Sequence, residues 1–162
     1  MQVRMSEATD GHSGKALLCV FSPLHLRTPR PAAAPGNSRG KQDRPLVRPE
    51  TLTLGLLARA AVQRLRDVAR NGPATAAAIE LPWDPFVVMA QQTIVLQQKL
   101  ISEIASRESA SITGHRVDLS GITGMLHVEH QPPSLQALWD AIRFIGIGEH
   151  CSEGNGQLVS FS

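Results

Sequence analysis

The order of apolar and polar segments along the 162 residues predicts an α+β fold. Two segments carry apolar residues at the three- and four-residue spacing of an amphipathic helix, and short apolar runs typical of strands flank them. The predicted order is strand, helix, strand, strand, helix, strand, which is that of a ferredoxin-like sandwich. The sequence therefore predicts a single βαββαβ domain over residues 16–162, after a disordered start at residues 1–15.

A long loop separates the first strand from the first helix. Residues 16–21 form an apolar run that ends at Ser22-Pro23, as a buried strand does. Residues 28–49 contain five prolines and two glycines, a composition that predicts a flexible basic loop. A helix is expected over residues 51–71, because one apolar stripe runs along it and Asn71-Gly72-Pro73 ends it. The stripe consists of Leu54, Leu57, Ala58, Ala61, Leu65 and Val68.

The second half of the chain is less regular. Residues 87–104 are ambiguous, since their Gln and Lys residues favour a helix whereas Thr93-Ile94-Val95-Leu96 favours a strand. Between residues 117 and 128 the apolar side chains change from odd to even positions, which predicts a bulge or tight bend near Gly121. The second helix should begin with Ser134 as its N-cap and bury Trp139, and residues 157–161 should form the last strand.

Composition excludes several classes of protein. No stretch approaches the roughly 20 apolar residues of a membrane span, and the start lacks the order of a signal peptide, so a cytoplasmic protein is expected. Cys19 and Cys151 are the only cysteines and are expected to be free. Aromatic residues make up 4% of the chain, which argues against a broad aromatic platform. His150 and Cys151 are adjacent, a spacing that seldom serves one metal ion, so no metal site is predicted.

Charge is distributed unevenly along the chain. Residues 1–72 contain twelve Lys and Arg against five Asp and Glu, a balance of +7, and residues 73–162 carry a balance of −5. The basic part is where a polyanion would bind. A solvated Pro/Gly-rich loop without a partner would have the same composition, so both interpretations stay open.

Four glycines with the spacing G-x-G-x₅-G-x-G form the most distinctive motif. Glycine permits positive φ and allows backbone N–H groups to approach an anionic backbone closely. A dinucleotide-binding loop follows a strand and opens a helix, whereas this loop follows a helix and precedes a strand, so a nicotinamide or flavin cofactor is not predicted. A structural alternative is that Gly146 ends the helix and that Gly154 and Gly156 form a turn.

Four segments, in order along the chain, resemble motifs of one family. The loop at residues 146–156 resembles the glycine-rich loop near the C-terminus of the CRISPR-associated endoribonucleases that process precursor CRISPR RNA, members of the RAMP superfamily. Residues 21–27, Phe-Ser-Pro-Leu-His-Leu-Arg, are similar to the strand motif that opens this family's C-terminal domain, and residues 53–66 resemble the Leu-rich helix after it. Residues 107–124 are similar to the family's Ser/Arg-rich stretch and the glycine-containing strand that follows.

The resemblance implies an RNA-binding RAMP domain that acts in CRISPR RNA processing. Its implied partner is CRISPR repeat RNA, together with other CRISPR-associated subunits or a separate first domain, and no membrane. The family has two ferredoxin-like domains, whereas this chain has room for one, of the C-terminal type. The sequence departs from the family at Glu149, where a basic residue is usual, and at His25, where the strand motif has arginine. The resemblance also places a strand at residues 93–101.

The family reaction implies specific roles for residues of this chain. It is the metal-independent attack of a ribose 2′-OH on its adjacent phosphate, which needs a general base, a general acid and cations. Histidine titrates near neutral pH, so His150 in the glycine loop and His115 in the Ser/Arg-rich stretch are the catalytic candidates. The alternative for each is a non-catalytic loop residue, which is the more common role of a single histidine in a loop. The expected RNA-binding residues are Gly146, Gly148, Gly154, Gly156, Arg107 and Arg116.

A second function is compatible with the same residues. The chain would then be a non-catalytic guide-RNA-binding or scaffold module, either a degenerate family member or a subunit that pairs with a separately encoded first domain. Arg107 and Arg116 would contact phosphates in both cases, or be solvated or salt-bridged.

Overall fold

The fold is built around one antiparallel sheet. The computed structural model describes residues 14–28, 45–71, 84–108, 114, 116–149, 151 and 154–161. Its elements are β1 (Gly14–Leu24), α1 (Leu54–Asn71), α2 (Asp84–Gln92), β2 (Ile94–Glu103), β3 (Ser106–Glu108), β4 (Arg116–Asp118), β5 (Gly121–Gln131), α3 (Pro133–Ile142) and β6 (Leu158–Phe161). The main sheet has the order β2-β5-β1-β6, and β3 pairs with β4 in a separate hairpin. This α+β architecture is consistent with the predicted ferredoxin-like fold.

One core joins both helical stripes to the sheet. Alternate residues of β1 and β5, among them Leu18 and Leu126, are buried against the apolar faces of α1 and α3. Trp139 is fully buried within this core, as predicted, and its indole N–H donates to Gln131 Oε1 at 3.0 Å. The hydrogen bond to Gln131 satisfies the only donor of the indole ring, and the rest of the ring is buried, so the side chain has a packing role. The predicted stripe of α1 is wrong at one position, because Val68 in the last turn is 42% exposed.

The ambiguous segment is a strand. β2 pairs with β5 along its length, from Ile94 opposite Glu129 to Glu103 opposite Gly121, so the prediction of a strand at residues 93–101 is confirmed. β2 is one of the two edge strands of the sheet, and nine of its ten residues are exposed. An edge strand without a buried face has no apolar alternation, which explains why its sequence was ambiguous. The helix before it, α2, was not predicted.

The change of apolar face between residues 117 and 128 arises from a break between two strands. β4 ends at Asp118, and the Ser120 N–H donates to Asp118 Oδ1 at 2.9 Å in a tight turn. β5 then begins at Gly121 with the even-numbered residues facing the core. A Cβ at Gly121 would lie 2.7 Å from the backbone of Leu24, so glycine is required there by the close approach of β1. The predicted change of face is therefore present as a break between β4 and β5 at residues 119–120, directly before the glycine.

The start of α3 differs from the prediction. Pro132 is the N-cap and Pro133 is the first helical residue, so the expectation that Ser134 caps the helix is wrong. Proline is favoured at the first helical position because its φ is already helical and the N–H it lacks would have no partner there. Ser134 lies one residue further inside the helix.

Parts of the chain that carried predictions lie outside the described residues. They include the start, residues 1–13, and residues 29–44 of the basic loop. The ends of that loop are described and lie side by side: the Thr28 N–H donates to Pro45 O at 3.0 Å, and the Val47 N–H donates to Leu26 O at 2.8 Å. Among the helices in the described ranges, none has the length and hydrophobicity needed to cross a membrane.

Candidate nucleic-acid interface

The glycine-rich loop, residues 146–156, is held against the end of β1. The Glu149 N–H donates to His25 O at 3.0 Å, and the Gly156 N–H donates to Pro23 O at 3.0 Å. Within the loop, the Ile147 N–H donates to Gly156 O at 2.8 Å and closes its two ends on each other. The fold therefore joins the two segments whose sequences are most distinctive, the glycine loop and residues 21–27.

Two of the glycines have no room for a side chain. Gly148 and Gly156 have φ values of +87° and +71°. A Cβ at Gly148 would lie 2.6 Å from His25 O, and one at Gly156 would overlap the carbonyl oxygen of Ile147. By contrast, the Cβ position of Gly154 faces open space. Backbone packing within the protein thus explains why positions 148 and 156 require glycine.

Most of the described loop residues use their backbone amides in hydrogen bonds within the protein. The amides of five described loop residues donate to carbonyl oxygens of the protein, namely those of Gly146, Ile147, Glu149, Gly154 and Gly156. The C-cap of α3 is Arg143, and the bond from Gly146 to Ile142 O closes the turn that follows it, so the alternative that Gly146 itself caps the helix is wrong. The bond from Gly154 to Cys151 O forms a turn, as the same alternative expected. RNA binding by the loop glycines stays a prediction.

A charged cluster of His25, Arg27 and Glu149 connects β1 to the loop. The Arg27 Nε–H lies 3.1 Å from both carboxylate oxygens of Glu149, and His25 Nε2 lies 3.4 Å from Glu149 Oε2. The His25 side chain is buried, with Nδ1 2.7 Å from Ser120 O. Because a carbonyl oxygen can only accept, Nδ1 carries a proton. Glu149 thus faces a guanidinium, which offsets its repulsion of phosphate.

Sequence reasoning missed this cluster, although the signal was present. His25 and Glu149 are the two positions where the chain departs from the family motifs, and they are bridged neighbours in the fold. Their proximity could be recognised only after the fold had brought the two segments together.

Arg107 and Arg116 lie on the β3–β4 hairpin. Both residues are exposed. The register pairs Arg107 with Val117 and Glu108 with Arg116, and residues directly opposite share a face of the hairpin. Since neighbouring residues of a strand alternate between faces, Arg107 and Arg116 lie on opposite faces. The structure brings the two predicted RNA-binding arginines onto one hairpin, but it does not bring them together.

The two catalytic candidates, His115 and His150, lie outside the described residues, so their roles stay predictions. Cys151 is described and its thiol is 3.1 Å from Gly148 O, to which it donates. Burial raises the pKa of the Cys151 thiol, and the nearby Arg64 guanidinium partly opposes this effect. Both cysteines are free. The described part of the chain contains no group of three or more His, Cys, Asp or Glu side chains suited to a metal ion.

The base of the basic loop adjoins the same site. Arg27 forms an isolated bridge with Leu46, so the chain leaves and re-enters the fold next to the cluster with Glu149. Arg48, just after the loop, is exposed. The most basic part of the sequence therefore begins and ends beside the glycine loop.

Comparisons with known proteins identify structural neighbours. No protein-family model matches the sequence, and no curated protein matches it. A partial Cas6-RT-Cas1–Cas2 complex is similar at 18% identity and a TM-score of 0.58, over 93% of this chain and 22% of that chain. Cas6 from Thermus thermophilus is similar at 15% identity and a TM-score of 0.52, over 93% of this chain and 55% of that chain. A Cas6 product complex is similar at 15% identity and a TM-score of 0.50, over 94% of this chain and 53% of that chain.

These neighbours share the fold of this chain. They are Cas6 proteins, one of them within a Cas6-RT-Cas1–Cas2 complex. The chain spans about half the length of the Thermus thermophilus Cas6 that it matches.

Proposed function

We propose that this chain is a RAMP domain of βαββαβ order that binds CRISPR repeat RNA and takes part in its cleavage to guide RNAs. One observation carries the proposal. The motifs at residues 21–27 and 146–156, which carry the sequence resemblance, contact each other through the Glu149 N–H and His25 O in a fold shared with Cas6 proteins. The helix α2 and the β3–β4 hairpin are additions to that order. A role in CRISPR RNA processing implies a cytoplasmic location.

The proposed reaction needs no metal ion. A general base removes the proton of a ribose 2′-OH, whose oxygen attacks the adjacent phosphorus, and a general acid protonates the departing 5′-oxygen. His150 and His115 are the candidates for these proton transfers, and Arg107 and Arg116 are the candidates for phosphate contacts. The product on the 5′ side carries a 2′,3′-cyclic phosphate. Cations near the phosphate stabilise the additional negative charge of the transition state.

A non-catalytic RNA-binding or scaffold module is the second candidate function. Glu149 favours it, because this residue places a carboxylate, paired with Arg27, where the family usually has a basic residue. In this case the chain would bind RNA and either lack activity or gain it from a separate first domain.

Labelled CRISPR repeat RNA incubated with the protein in EDTA distinguishes these functions. Cleavage at one position supports the enzyme, and replacement of the ribose at that position by 2′-deoxyribose should abolish cleavage while binding is retained. His150→Ala and His115→Ala then test the two candidates individually. A gel shift without product supports the binding module. If the RNA is neither shifted nor cleaved, both functions are wrong.

A further inference from the structure

The end of α3 presents an aromatic ring to solvent. Phe144 is 83% exposed, whereas Ile142 before it is fully buried and Ile145 after it is partly buried against the core. Hydrogen bonds from the Ile145 and Gly146 amides to Ile142 O, at 3.0 and 2.9 Å, fix this turn. Phe144 is therefore held outward by its own backbone, directly before the glycine loop.

The other phenylalanines of the chain have apolar neighbours. Phe86 packs against the core, and Phe21 and Phe161 contact each other edge to face, with ring centroids 6.4 Å apart, on another part of the molecule. The ring of Phe144 instead lies beneath a guanidinium, with Arg143 Cζ 4.8 Å from the ring centroid. One face of the ring is thus in contact with a cation, and the high exposure leaves the other face accessible.

The surroundings of Phe144 are cationic. The Arg64 Nε–H donates to Ile145 O at 3.3 Å, so a second guanidinium lies at the same turn. In the described part of the chain, neither Arg64 nor Arg143 forms an ion pair with a carboxylate. Asp140, one helical turn earlier, accepts a hydrogen bond from Gln136 at 3.0 Å. An accessible aromatic face next to two guanidinium groups suits a nucleotide better than an apolar protein surface.

We propose that Phe144 and Arg143 form a stacking site for one base of a single-stranded RNA. The base stacks on the outer face of the Phe144 ring, and Arg143 contacts the phosphate of the same or the next nucleotide. Because every base has a π-face, this contact would add affinity without strong sequence preference. The proposal rests on the proposed RNA-binding function and locates a contact just before the glycine loop.

Matched phenylalanine variants test the site. The affinity for labelled CRISPR repeat RNA is measured by fluorescence anisotropy at fixed salt for the parent, Phe144→Ala, Phe144→Trp and Phe161→Ala. Loss of one stacked base should weaken binding by about 5- to 150-fold in Phe144→Ala. Phe144→Trp should retain the affinity of the parent, and Phe161→Ala should leave it unchanged. Since Phe144 is exposed, Phe144→Ala should unfold at the temperature of the parent.

Two further measurements separate stacking from charge. Repeat RNA with 5-iodouridine placed at successive single-stranded positions should cross-link at one position to the peptide that contains Phe144. Arg143→Ala should reduce the slope of log K against log salt by about 0.7, the value for one phosphate of a single strand, whereas Phe144→Ala should leave the slope unchanged.

The outcomes distinguish failure of this site from failure of the proposed function. If the parent protein does not bind repeat RNA, the proposed function and this site are both wrong. If the parent binds, but Phe144→Ala binds within twofold of it and no cross-link forms, RNA binding stands and the stacking site is wrong. In that case Phe144 is available for a protein partner.

Discussion

The glycine-rich loop and the β3–β4 hairpin both carry predicted RNA-binding residues, but they are built in opposite ways. In the loop, five amides donate to carbonyl oxygens of the protein, and two glycines pack directly against backbone. In the hairpin, three residue pairs hold two short strands together, and five of the six side chains are exposed. A substitution at a packed glycine of the loop should therefore lower the stability of the fold, whereas a substitution of an exposed hairpin arginine should mainly change the surface charge. Of these two regions, the hairpin is the one where a loss of RNA binding reports directly on a contact with RNA, because a loss caused by a substituted loop glycine could also arise from a change in folding.

The largest expected effect is that of a side chain at Gly156. In Gly156→Ala, the Cβ would overlap Ile147 O and oppose the positive φ, so the free energy of unfolding should fall by about 3 kcal/mol or more. Gly154→Ala is the matched control, because Gly154 has a similar φ but open space around it, and the cost should be about 1–2 kcal/mol. Urea denaturation measures both values. Equal losses would mean that backbone packing does not distinguish these glycines.

The next effect concerns the charge between the loop and β1. Glu149→Lys removes the ion pair with Arg27 and places a cation beside it, so stability should fall by about 1 kcal/mol while RNA affinity rises. Glu149→Gln should raise affinity less and cost less stability, since it removes the charge without reversing it. Urea denaturation and RNA titration are needed together. A Glu149→Lys variant as stable as the parent would show that the contact with Arg27 contributes nothing.

The hairpin should show smaller effects, confined to RNA binding. RNA on one face of the hairpin would contact only one of the two arginines, because they lie on opposite faces. We expect either Arg107→Ala or Arg116→Ala, but not both, to weaken binding about fourfold at 0.15 M salt, the effect of one phosphate contact. Arg70→Ala, an exposed arginine of α1, is the control. Equal losses from both hairpin variants would contradict binding to a single face.

The smallest effect is on cysteine reactivity in the loop. Burial raises the pKa of the Cys151 thiol, so its thiolate fraction at pH 7.5 is lower than that of an exposed cysteine. In a Cys19→Ser background, iodoacetamide should modify Cys151 slowly when the protein is folded and faster in urea. The folded-state rate should continue to rise at pH values where that of the unfolded protein has reached a plateau. Identical pH profiles would show that the loop does not enclose the thiol.

The sequence predicted those elements that have one buried face. The stripe of α3 was recognisable because four apolar residues at helical spacing face a single core. The strand β2 could not be recognised from its own residues, since it lies at the edge of the sheet and nine of its residues are exposed. It was placed by the need of β5 for a neighbour and by the family resemblance. The helix α2 was missed because the same ambiguous segment contains both elements.

The candidate site was predictable as motifs but not as contacts. The glycine loop was identified from spacing alone, and its attachment to residues 21–27 was not. Arg27 and Glu149 are 122 positions apart, and nothing in either motif indicates that their side chains meet. Likewise, the positions of Arg107 and Arg116 on opposite faces depend on the register of the hairpin. Long-range pairing is set by the whole sheet, which short motifs do not encode.

The two ends of the basic loop are joined by hydrogen bonds at Thr28 and Val47. These bonds join the two ends of the loop next to the end of β1, whatever the number of residues that lie between them. Because the entropic cost of closing a loop grows only slowly with its length, insertions and deletions there are tolerated well. We therefore expect an affinity tag or a second domain inserted between residues 28 and 45 to leave the framework of the sheet intact.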